Sequence, residues 1–515
     1  MKIKAFVQKY KRVLTAFLMA LVPLACCIVT CAIDGKSVGD VYIPSSTWND
    51  GLYYYKLVEA ILEHGFPGGY YGYNESHALA LSFGAWSPVL LLPWVIWGAI
   101  FGWSLMSPVI CNIVLMSLAV FIFTYLVKPR KWQLVSLAAM LAVFTPMVRY
   151  MFSCMPEIIC FFFMLVFLGL AISYCEKETK LKLVLMFVIS AFVTLMRPYF
   201  ILFVLLPGYY WFKKHKVAGV AGTLGIMGVT GVVYLTLDHF FAAEYFVDIF
   251  ETEWVSKFFS DGIFEGIKYS LYKIFSVGKQ FFAMFIESFI SGLPAGALFV
   301  AYILLFVLVG ICAFTKWRKK DKNVSVYVLY TFCTFAMWMA LLLMYNMTDG
   351  SKHLSAFIIM GIFLLSIIDE KYFWKWIVTT GLCAFLFIAM AKEPVNYDVP
   401  YKTAELEQDL NNLHEELEEN MVFTKKTPSY ENTLIWVFSD TVNGEDTMLY
   451  WQMLYAVPHQ YGINLCYGDF VYENLDTLKS RYVATVPGGR IALALEESGA
   501  KLLSDNGKIM IYQRY

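Results

Sequence analysis

The sequence predicts an all-α polytopic membrane protein of about eleven transmembrane helices, followed by a small C-terminal α/β domain. Of its 515 residues, 59% are hydrophobic and 16% are charged, whereas soluble domains carry about 25% charged residues. Apolar runs of helix length recur through residues 1–391. Residues 392–515 instead mix short apolar runs with many charges, which marks a second domain.

Charge and cysteine usage exclude several other classes of protein. The formal net charge is +0, so no basic field points to nucleic acid. The cysteines lie mostly inside apolar runs, without Cys-x-x-Cys or Cys/His spacing. Neither a disulfide framework nor a zinc site is therefore indicated.

The N-terminal segment predicts a retained first span. A basic start is followed by an apolar run at 13–33, which is as long as the roughly 20 residues that cross a bilayer. A signal peptide has a shorter apolar core of about 7–15 residues. The further runs that we expect to span are 105–127, 132–150, 155–174, 181–196, 198–212, 217–237, 293–314, 324–346, 354–368 and 373–391.

Basic clusters between these runs predict the orientation, because short loops rich in Lys and Arg stay in the cytoplasm. The clusters are the N-terminus, 128–131, 176–182, 213–216, 316–322 and 369–375. All of them face the cytoplasm only if run 83–103 does not cross completely. Pro88 and Pro93 in that run favour a bend. The predicted protein is multi-pass, with a cytoplasmic N-terminus, an extracytoplasmic C-terminus and large external loops at 34–104 and 238–292.

The first external loop contains an acidic residue among aromatic residues, in "TWNDGLYYYK". Residues 50–64 have apolar positions at helical spacing. Asp50 stands at the start of this helix, where a carboxylate can cap free N–H groups. Asp50 is therefore either a helix cap or a group that meets substrate, and the two roles are compatible.

The second external loop predicts a surface helix at about 263–290. A polar stripe that includes Glu265 and Lys268 lies opposite an apolar stripe that includes Phe264 and Leu271. Such a helix lies in the headgroup plane of a membrane. It is either an anchor or a movable gate over a site.

Further ionisable residues stand at the predicted outer ends of spans. Glu157 opens an apolar run, and charges at membrane depth are costly and usually functional; its structural alternative is pairing with Arg149, Arg197 or Lys352. Arg197 lies at an outward turn between two short runs, where it either faces an anionic phosphate or extends to the surface. Lys352 and His353 together suit a phosphate oxygen.

The C-terminal segment predicts an α/β domain outside the membrane. Residues 404–420 form an acidic helix with leucines on one face, and four strand-like runs follow, "TLIWVFS", "INLCYG", "RYVATV" and "KIMIYQR". The segment has no Gly-rich phosphate loop and no nucleophile elbow. Recognition or support is expected of it rather than chemistry.

The chain resembles the GT-C superfamily of membrane glycosyltransferases, especially protein O-mannosyltransferases and aminoarabinose transferases. "WNDGLYYYK" is similar to the first-loop acidic motif of that family and "MPEIICFFF" to its second acid. "AWSPVLLLPW", "RPYFILFVLLP" and "SKHLSAFIIMGIFLL" look like its other external motifs. The second acid is Glu rather than the usual Asp, and the Pro-rich segment lacks a neighbouring charge, which puts metal binding in doubt.

The resemblance implies an inverting glycosyltransferase of the cell envelope, with Asp50 as general base. The donor would be a sugar on a polyprenyl phosphate, and the acceptor a glycan, lipid or protein. Glu157 would orient the acceptor or hold a divalent metal ion, the one cofactor considered. The expected catalytic residues are Asp50 and Glu157, and the expected substrate-binding residues are Trp48, Asn49, Tyr54, Arg149, Arg197, Lys352 and His353.

Two other functions remain open from the sequence, a transporter and an O-antigen-type polysaccharide polymerase or ligase. A transporter is expected to have repeats and charged residues at the midplane of its spans, whereas here the acids cluster near one surface. A polymerase or ligase would need no acid directly after the first helix. The expected location is a bacterial plasma membrane.

Overall fold

The computed structural model describes residues 2–46, 48–65, 71–75, 86–241, 251–291, 294–344, 347–368, 381, 399–424 and 429–515. These residues form a mostly helical protein with a sheet near the C-terminus, as the sequence predicts. The cluster at 369–375 and the span at 373–391 lie outside the described residues, apart from Gly381.

The described residues of the helical part form fifteen helices, α1 to α15, of very different length. They are α1 (Lys2–Ile33), α2 (Asn49–His64), α3 (Leu92–Phe101), α4 (Ser107–Val127), α5 (Lys131–Val143), α6 (Thr145–Met151), α7 (Glu157–Glu176), α8 (Lys180–Met196), α9 (Leu205–His215), α10 (Val217–Phe241), α11 (Glu253–Ser260), α12 (Ile263–Ser291), α13 (Pro294–Arg318), α14 (Val324–Met344) and α15 (Met347–Ser366).

Six of the described helices are long and apolar enough to cross a membrane, or seven if α5 and α6 count as one broken span. Helices α5 and α6 replace the single predicted span 132–150 and meet at an angle of 64°. The run 198–212 divides into a 3-10 helix, Pro198–Val204, and α9. The total of eleven spans stays a prediction, because part of the C-terminal run lies outside the described residues.

The basic clusters gather at one end of the helical bundle. The Arg12 Nε atom donates a hydrogen bond to the Tyr125 carbonyl at 2.7 Å, which joins the N-terminus to the end of α4. Lys182 lies within electrostatic range of Arg12 and Lys128. The remaining contacts at this end are Lys214–Glu178 at 2.7 Å, Lys322–Glu176 at 3.4 Å, and Gln133 to the Ile367 carbonyl at 2.9 Å. The basic clusters among the described residues therefore share a side, as the orientation rule requires, and the cluster at 369–375 is not part of this comparison.

Run 83–103 contains only short apolar helices among its described residues. Its described part is a 3-10 helix, Pro88–Leu91, followed by the ten-residue α3. Ten residues at 1.5 Å each reach about 15 Å, half of the roughly 30 Å hydrocarbon core. Because α1 starts at the end of the bundle where α4 finishes, the chain between them begins and ends on the same side. The predicted partial insertion agrees with this arrangement.

The predicted surface helix is present as α12, packed beside the short α11. The Tyr269 hydroxyl donates to a Glu253 carboxylate oxygen at 2.6 Å and so connects the two helices. Phe264, Leu271 and Phe275 are exposed on α12. An apolar face left uncovered by protein suits contact with lipid.

The C-terminal domain is an α/β unit built on a six-stranded sheet with the order β1-β5-β2-β6-β8-β7. Helix α16 (Ala404–Asn420) precedes it and begins at Thr403, whose hydroxyl accepts from the Leu406 N–H. The strands are β1 (Tyr71–Tyr73), β2 (Thr433–Val437), β3 (Ser439–Val442), β4 (Glu445–Met448), β5 (Gly462–Cys466), β6 (Tyr482–Thr485), β7 (Lys501–Asp505) and β8 (Met510–Gln513), with short helices α17 (Gly468–Glu473) and α18 (Arg490–Glu497) between them.

The first external loop contributes a strand to this sheet, which the sequence did not predict. Strand β1 pairs in parallel with β5, with Tyr71 opposite Ile463. Just after β1, the Glu75 carboxylate accepts from the Ser480 N–H at 2.7 Å and from its hydroxyl at 2.6 Å. The C-terminal domain thus includes a strand from residues 71–73, and the domain boundary at 391/392 stays a prediction.

The C-terminal domain also packs directly on α2. The buried Lys56 ammonium donates to the Val457 carbonyl at 2.8 Å and to Glu59 at 2.8 Å. The Tyr55 and Tyr455 rings lie 5.2 Å apart. These contacts hold α2 against a folded support, and α2 carries Asp50 at its first turn.

Cysteine labelling tests the orientation. Lys131→Cys at the basic end and Glu445→Cys in the β3–β4 hairpin both add a thiol at an exposed position. With a membrane-impermeant maleimide on intact cells, we expect labelling of Glu445→Cys, and labelling of Lys131→Cys only after permeabilisation. The parent chain is the control, since its described cysteines are buried or half-buried. Labelling of Lys131→Cys on intact cells would reverse the orientation.

Candidate active site

Asp50 lies in the first turn of α2, beside the end of the bundle that is remote from the basic clusters. The helix begins at Trp48, whose backbone is extended, and no side-chain cap hydrogen bond is formed there. A carboxylate in the first turn is favourable next to the free N–H groups of the helix. The apolar face of α2, including Leu52 and Val58, is buried, and this burial fixes the direction in which Asp50 leaves the helix.

Asp50 forms an ion pair with Lys352 of α15. The Lys352 Nζ atom lies 2.6 Å from Asp50 Oδ2, and the two side chains are 26% and 40% exposed, respectively. Solvent therefore reaches both partners. An ion pair in such a setting contributes little stability, roughly 0–1 kcal/mol, so a substrate can separate the partners at small cost.

Glu157 and Arg197 form a second ion pair, which is buried. Glu157 opens α7, Arg197 follows α8, and their Oε1 and Nη2 atoms are 2.9 Å apart. The side chains are 1% and 2% exposed. Of the pairings that the sequence left open for Glu157, the structure contains the one with Arg197. Arg197 is buried, so of its two predicted alternatives the extension to the surface is not found, and contact with a phosphate stays a prediction.

Two atoms of the buried pair have no hydrogen bond among the described residues. They are Glu157 Oε2 and Arg197 Nε. A buried polar atom without a partner costs about 1–3 kcal/mol. A ligand hydroxyl next to Glu157 Oε2 would satisfy that atom.

His353 contacts the buried ion pair through Tyr199 and follows Lys352 directly in the chain. Its Nδ1 atom lies 3.4 Å from the Tyr199 hydroxyl, which accepts from Arg197 Nη1 at 3.3 Å. The Trp86 ring lies 5.3 Å from the His353 ring, and Arg197 Cζ lies 5.3 Å from the Trp86 centroid. His353 is buried, so it supports the site from inside instead of presenting its ring at the surface.

Tyr54 lies between the two carboxylates and is buried in the site. Burial, together with the negative charges of Asp50 and Glu157, raises the pKa of its hydroxyl well above the usual range, although Arg197 acts in the opposite direction. The hydroxyl therefore stays neutral at physiological pH. A buried ring supports α2 and is not positioned to stack on a sugar as it stands.

Trp48 and Arg149 form a separate cluster. Arg149 Cζ lies 3.8 Å from the Trp48 ring centroid, and Trp48 stacks on Tyr150 with centroids 5.5 Å apart. Asn49, between Trp48 and Asp50, is exposed. The predicted site residues thus divide into a carboxylate centre (Asp50, Tyr54, Glu157, Arg197, Lys352, His353) and an aromatic–guanidinium cluster (Trp48, Arg149).

The carboxylate centre does not have the ligand set of a preformed divalent metal site. Within the described chain there is no group of three His, Cys, Asp or Glu side chains placed to hold a metal ion. Each of the two carboxylates already faces a cationic side chain, whereas Mg²⁺ and Ca²⁺ need several oxygen ligands. The charge of the carboxylates is compensated here by Lys352 and Arg197.

The sequence interpretation missed three residues of the site, Trp86, Tyr199 and Lys56. Trp86 and Tyr199 lie beside the buried ion pair, and Lys56 fixes α2 on the C-terminal domain. Tyr199 lies two residues after Arg197 in "MRPYF", and Trp86 lies in "AWSPV". The available signal for Tyr199 was its closeness to Arg197 in sequence, and for Trp86 its place in the Pro-rich segment that resembles a family motif.

Comparisons with known proteins find distant likenesses of fold. The oligosaccharyltransferase AglB of Archaeoglobus fulgidus, in complex with an inhibitory peptide and a dolichol-phosphate, is 13% identical, with a TM-score of 0.48 over 99% of this chain and 75% of that chain; its apo form gives 13% and 0.49 over 94% and 70%. ArnT of Cupriavidus metallidurans bound to undecaprenyl phosphate is 10% identical, with a TM-score of 0.43 over 97% of both chains.

No protein-family model matches the sequence, and no curated protein matches it either. The structural neighbours assign no residue role in this chain. The roles of its side chains therefore rest on their own geometry.

Proposed function

We propose that this protein is an inverting glycosyltransferase that moves a sugar from a polyprenyl-phosphate donor to an acceptor hydroxyl at the outer face of a membrane. The observation that carries the proposal is the partly exposed Asp50–Lys352 pair beside the buried Glu157–Arg197 pair. This reaction requires a base and a cation that binds phosphate. The two ion pairs supply both, at the end of the bundle away from the basic clusters.

Asp50 is the proposed general base. The acceptor hydroxyl attacks the anomeric carbon, Asp50 accepts its proton, and the bond from that carbon to the phosphate oxygen breaks. A base must come within about 3 Å of the proton that it removes, and the exposure of Asp50 permits this approach. Because the acceptor hydroxyl displaces the phosphate directly, in a single step, the configuration at the anomeric carbon is inverted.

Lys352 is the proposed partner of the leaving phosphate. The departing polyprenyl phosphate gains negative charge as the bond breaks, and a fixed ammonium stabilises that charge. When the phosphate forms an ion pair with the Lys352 ammonium, this ammonium no longer pairs with Asp50. The Asp50 carboxylate can then accept a proton. Donor binding would in this way prepare the base for the acceptor.

Glu157 is proposed to orient the acceptor through its unpartnered Oε2 atom. Arg197 holds the other carboxylate oxygen at 2.9 Å. Arg197 in turn donates to the Tyr199 hydroxyl, which contacts His353 Nδ1. Such support fixes a functional group more narrowly than a surface side chain can be fixed. Arg197 and His353 are thus positioning residues in this proposal.

The location of the ionisable groups favours this chemistry over transport. Glu157 stands at the first position of its helix and Asp50 in a helix of the external loop, whereas a transporter places its charged groups near the midplane. We propose a multi-pass plasma-membrane protein with residues 1–391 as the catalytic module and 392–515 as an extracytoplasmic support.

Substitution of Lys352 tests the donor site. A hydrogen bond to a charged group is worth about 1.5–3 kcal/mol, so Lys352→Gln is expected to raise the KM for the lipid donor about tenfold or more, and Lys352→Arg to restore part of the affinity. The assay measures polyprenyl phosphate released by the purified protein from a panel of polyprenyl-phosphate sugars.

Lys257→Gln is the matched control for this substitution. Lys257 pairs with Asp261 at 2.9 Å and is 35% exposed, and it lies outside the carboxylate centre. Its removal should leave the KM for the donor unchanged. Equal donor kinetics in Lys352→Gln and in the wild type would contradict the proposed role of Lys352.

A further inference from the structure

A large cavity lies between α1 and α6, separate from the carboxylate centre. Its volume is about 1120 Å³, which exceeds the roughly 300–1,000 Å³ of sites for drug-sized ligands. Asp50, Glu157, Arg197 and Lys352 do not line it. Trp48 does, two residues before Asp50, so the cavity reaches the chain segment that carries the proposed base.

One part of the cavity wall is apolar and belongs to the first span. Val22, Cys26 and Val29 of α1 line it, and they lie in a helix that is long and apolar enough to cross a membrane. Val29 is 57% exposed. The opposite wall lies at the 64° break between α5 and α6, where Ala142 and Thr145 line the cavity. This part has the character of a site for an alkyl chain.

The other part of the wall is polar and contains a cation. Arg149 lines the cavity with its guanidinium carbon 3.8 Å from the Trp48 ring centroid. The planar fork of N–H donors in a guanidinium matches the oxygens of a phosphate group, and stacking on an aromatic ring holds the guanidinium in place. The Asp34 carboxylate at the same rim accepts from the Tyr401 hydroxyl at 2.7 Å, and a carboxylate also accepts ligand hydroxyl groups.

Two hydroxyl groups of the polar rim are buried without a partner. Ser45 and Thr145 are among the residues that line the cavity, and their buried Oγ and Oγ1 atoms have no hydrogen bond among the described residues. Native structures rarely leave buried polar atoms unsatisfied. Together with the guanidinium and the apolar wall, these atoms fit a ligand with an anionic, hydroxyl-bearing head and an apolar tail.

We propose that this cavity binds the acceptor, and that the acceptor is a membrane lipid with a phosphate and hydroxyl groups in its head. This inference rests on the proposed function. In that proposal the donor phosphate binds Lys352, so the cavity is available for the second substrate, the acceptor. A lipid head on Trp48 would bring its hydroxyl groups toward Asp50. The apolar tail would lie along α1.

Lipid binding tests the cavity without relying on turnover. Native mass spectrometry of the full chain in detergent measures retention of phosphatidylglycerol, phosphatidylcholine and a polyprenyl phosphate. We expect phosphatidylglycerol to bind about tenfold more tightly than phosphatidylcholine, because the anionic head adds a charge-assisted contact with Arg149. Val29→Trp and Arg149→Gln should each weaken phosphatidylglycerol retention about tenfold.

Ile28→Trp is the matched control. Ile28 neighbours Val29, is 52% exposed, and does not line the cavity, so its substitution should leave retention unchanged. Wild-type retention of phosphatidylglycerol in Val29→Trp would overturn the proposal even if Arg149→Gln failed to fold.

Two further arms separate the cavity from the donor site and from the proposed function. Lys352→Gln should lose polyprenyl phosphate and keep phosphatidylglycerol. Loss of polyprenyl phosphate in Val29→Trp, but not in Lys352→Gln, would make the cavity the donor site and overturn the acceptor assignment. Asp50→Asn should retain phosphatidylglycerol. If that variant also transferred sugar normally, Asp50 would be excluded as the base, whereas the lipid site would still be supported.

Discussion

Replacement of Asp50 by Asn is expected to reduce sugar transfer at least a hundredfold while the protein stays folded. A general base contributes about 10²–10⁴ to the rate, and an amide cannot accept the proton of the acceptor hydroxyl. The structural cost should be small. The Asp50–Lys352 pair is partly exposed, and pairs of that kind contribute about 0–1 kcal/mol.

The measurement is the initial rate of polyprenyl-phosphate release, with thermal stability of the purified variant as the check on folding. Asp261→Asn is the matched control. Asp261 also pairs with a lysine, at 2.9 Å, and is 41% exposed, close to the exposure of Asp50. Normal turnover in Asp50→Asn would remove Asp50 as the base; equal losses in both variants would point to a general effect on the fold.

Replacement of Glu157 by Gln is expected to destabilise the protein by about 3–5 kcal/mol, because it leaves the buried Arg197 charge without its counterion. The change in net charge is the same as in Asp50→Asn, but the surroundings differ. When Asp50 is neutralised, solvent can stabilise the charge of the partly exposed Lys352 ammonium. Arg197 is 2% exposed, so solvent cannot do this for the guanidinium.

Thermal unfolding in detergent measures the effect. Glu178→Gln is the control at the other end of the bundle, since its pair with Lys214 at 2.7 Å is largely exposed and should cost about 0–1 kcal/mol. A double replacement, Glu157→Leu with Arg197→Met, removes both charges and should recover most of the lost stability. A stable Glu157→Gln variant would show that Arg197 has another counterion.

The double replacement also separates stability from function. It restores an apolar interior but removes the oxygen proposed to orient the acceptor. We expect this variant to unfold near the wild-type temperature and to transfer sugar poorly. Wild-type activity in it would confine the Glu157–Arg197 pair to a structural role.

The placement of the helices could be predicted because hydrophobicity and charge are local patterns. The apolar face of 50–64 predicted α2, and the leucine spacing at 404–420 predicted α16. The four strand-like runs of the C-terminal segment became β2, β5, β6 and β8. The basic loops predicted one shared end of the bundle, which the contact of Arg12 with Tyr125 supports.

From the sequence, the pairing of acidic with cationic side chains in the site could be predicted only as a set of alternatives. Asp50 and Lys352 are separated by 302 residues, and Glu157 and Arg197 by 40. The sequence offered three cations as partners of Glu157 and gave no rule for choosing among them. It also gave no sign that the Trp48 ring would pack on the Arg149 guanidinium.

By itself, the sequence determined a helical membrane protein with acids and cations collected near one end and an α/β domain after its spans. The tertiary structure decided which acid meets which cation, which of these pairs solvent reaches, and that β1 of the first loop completes the sheet of the C-terminal domain. The reason is physical. Periodicity and loop charge act on neighbours along the chain, whereas an ion pair depends on the packing of helices that are distant in sequence.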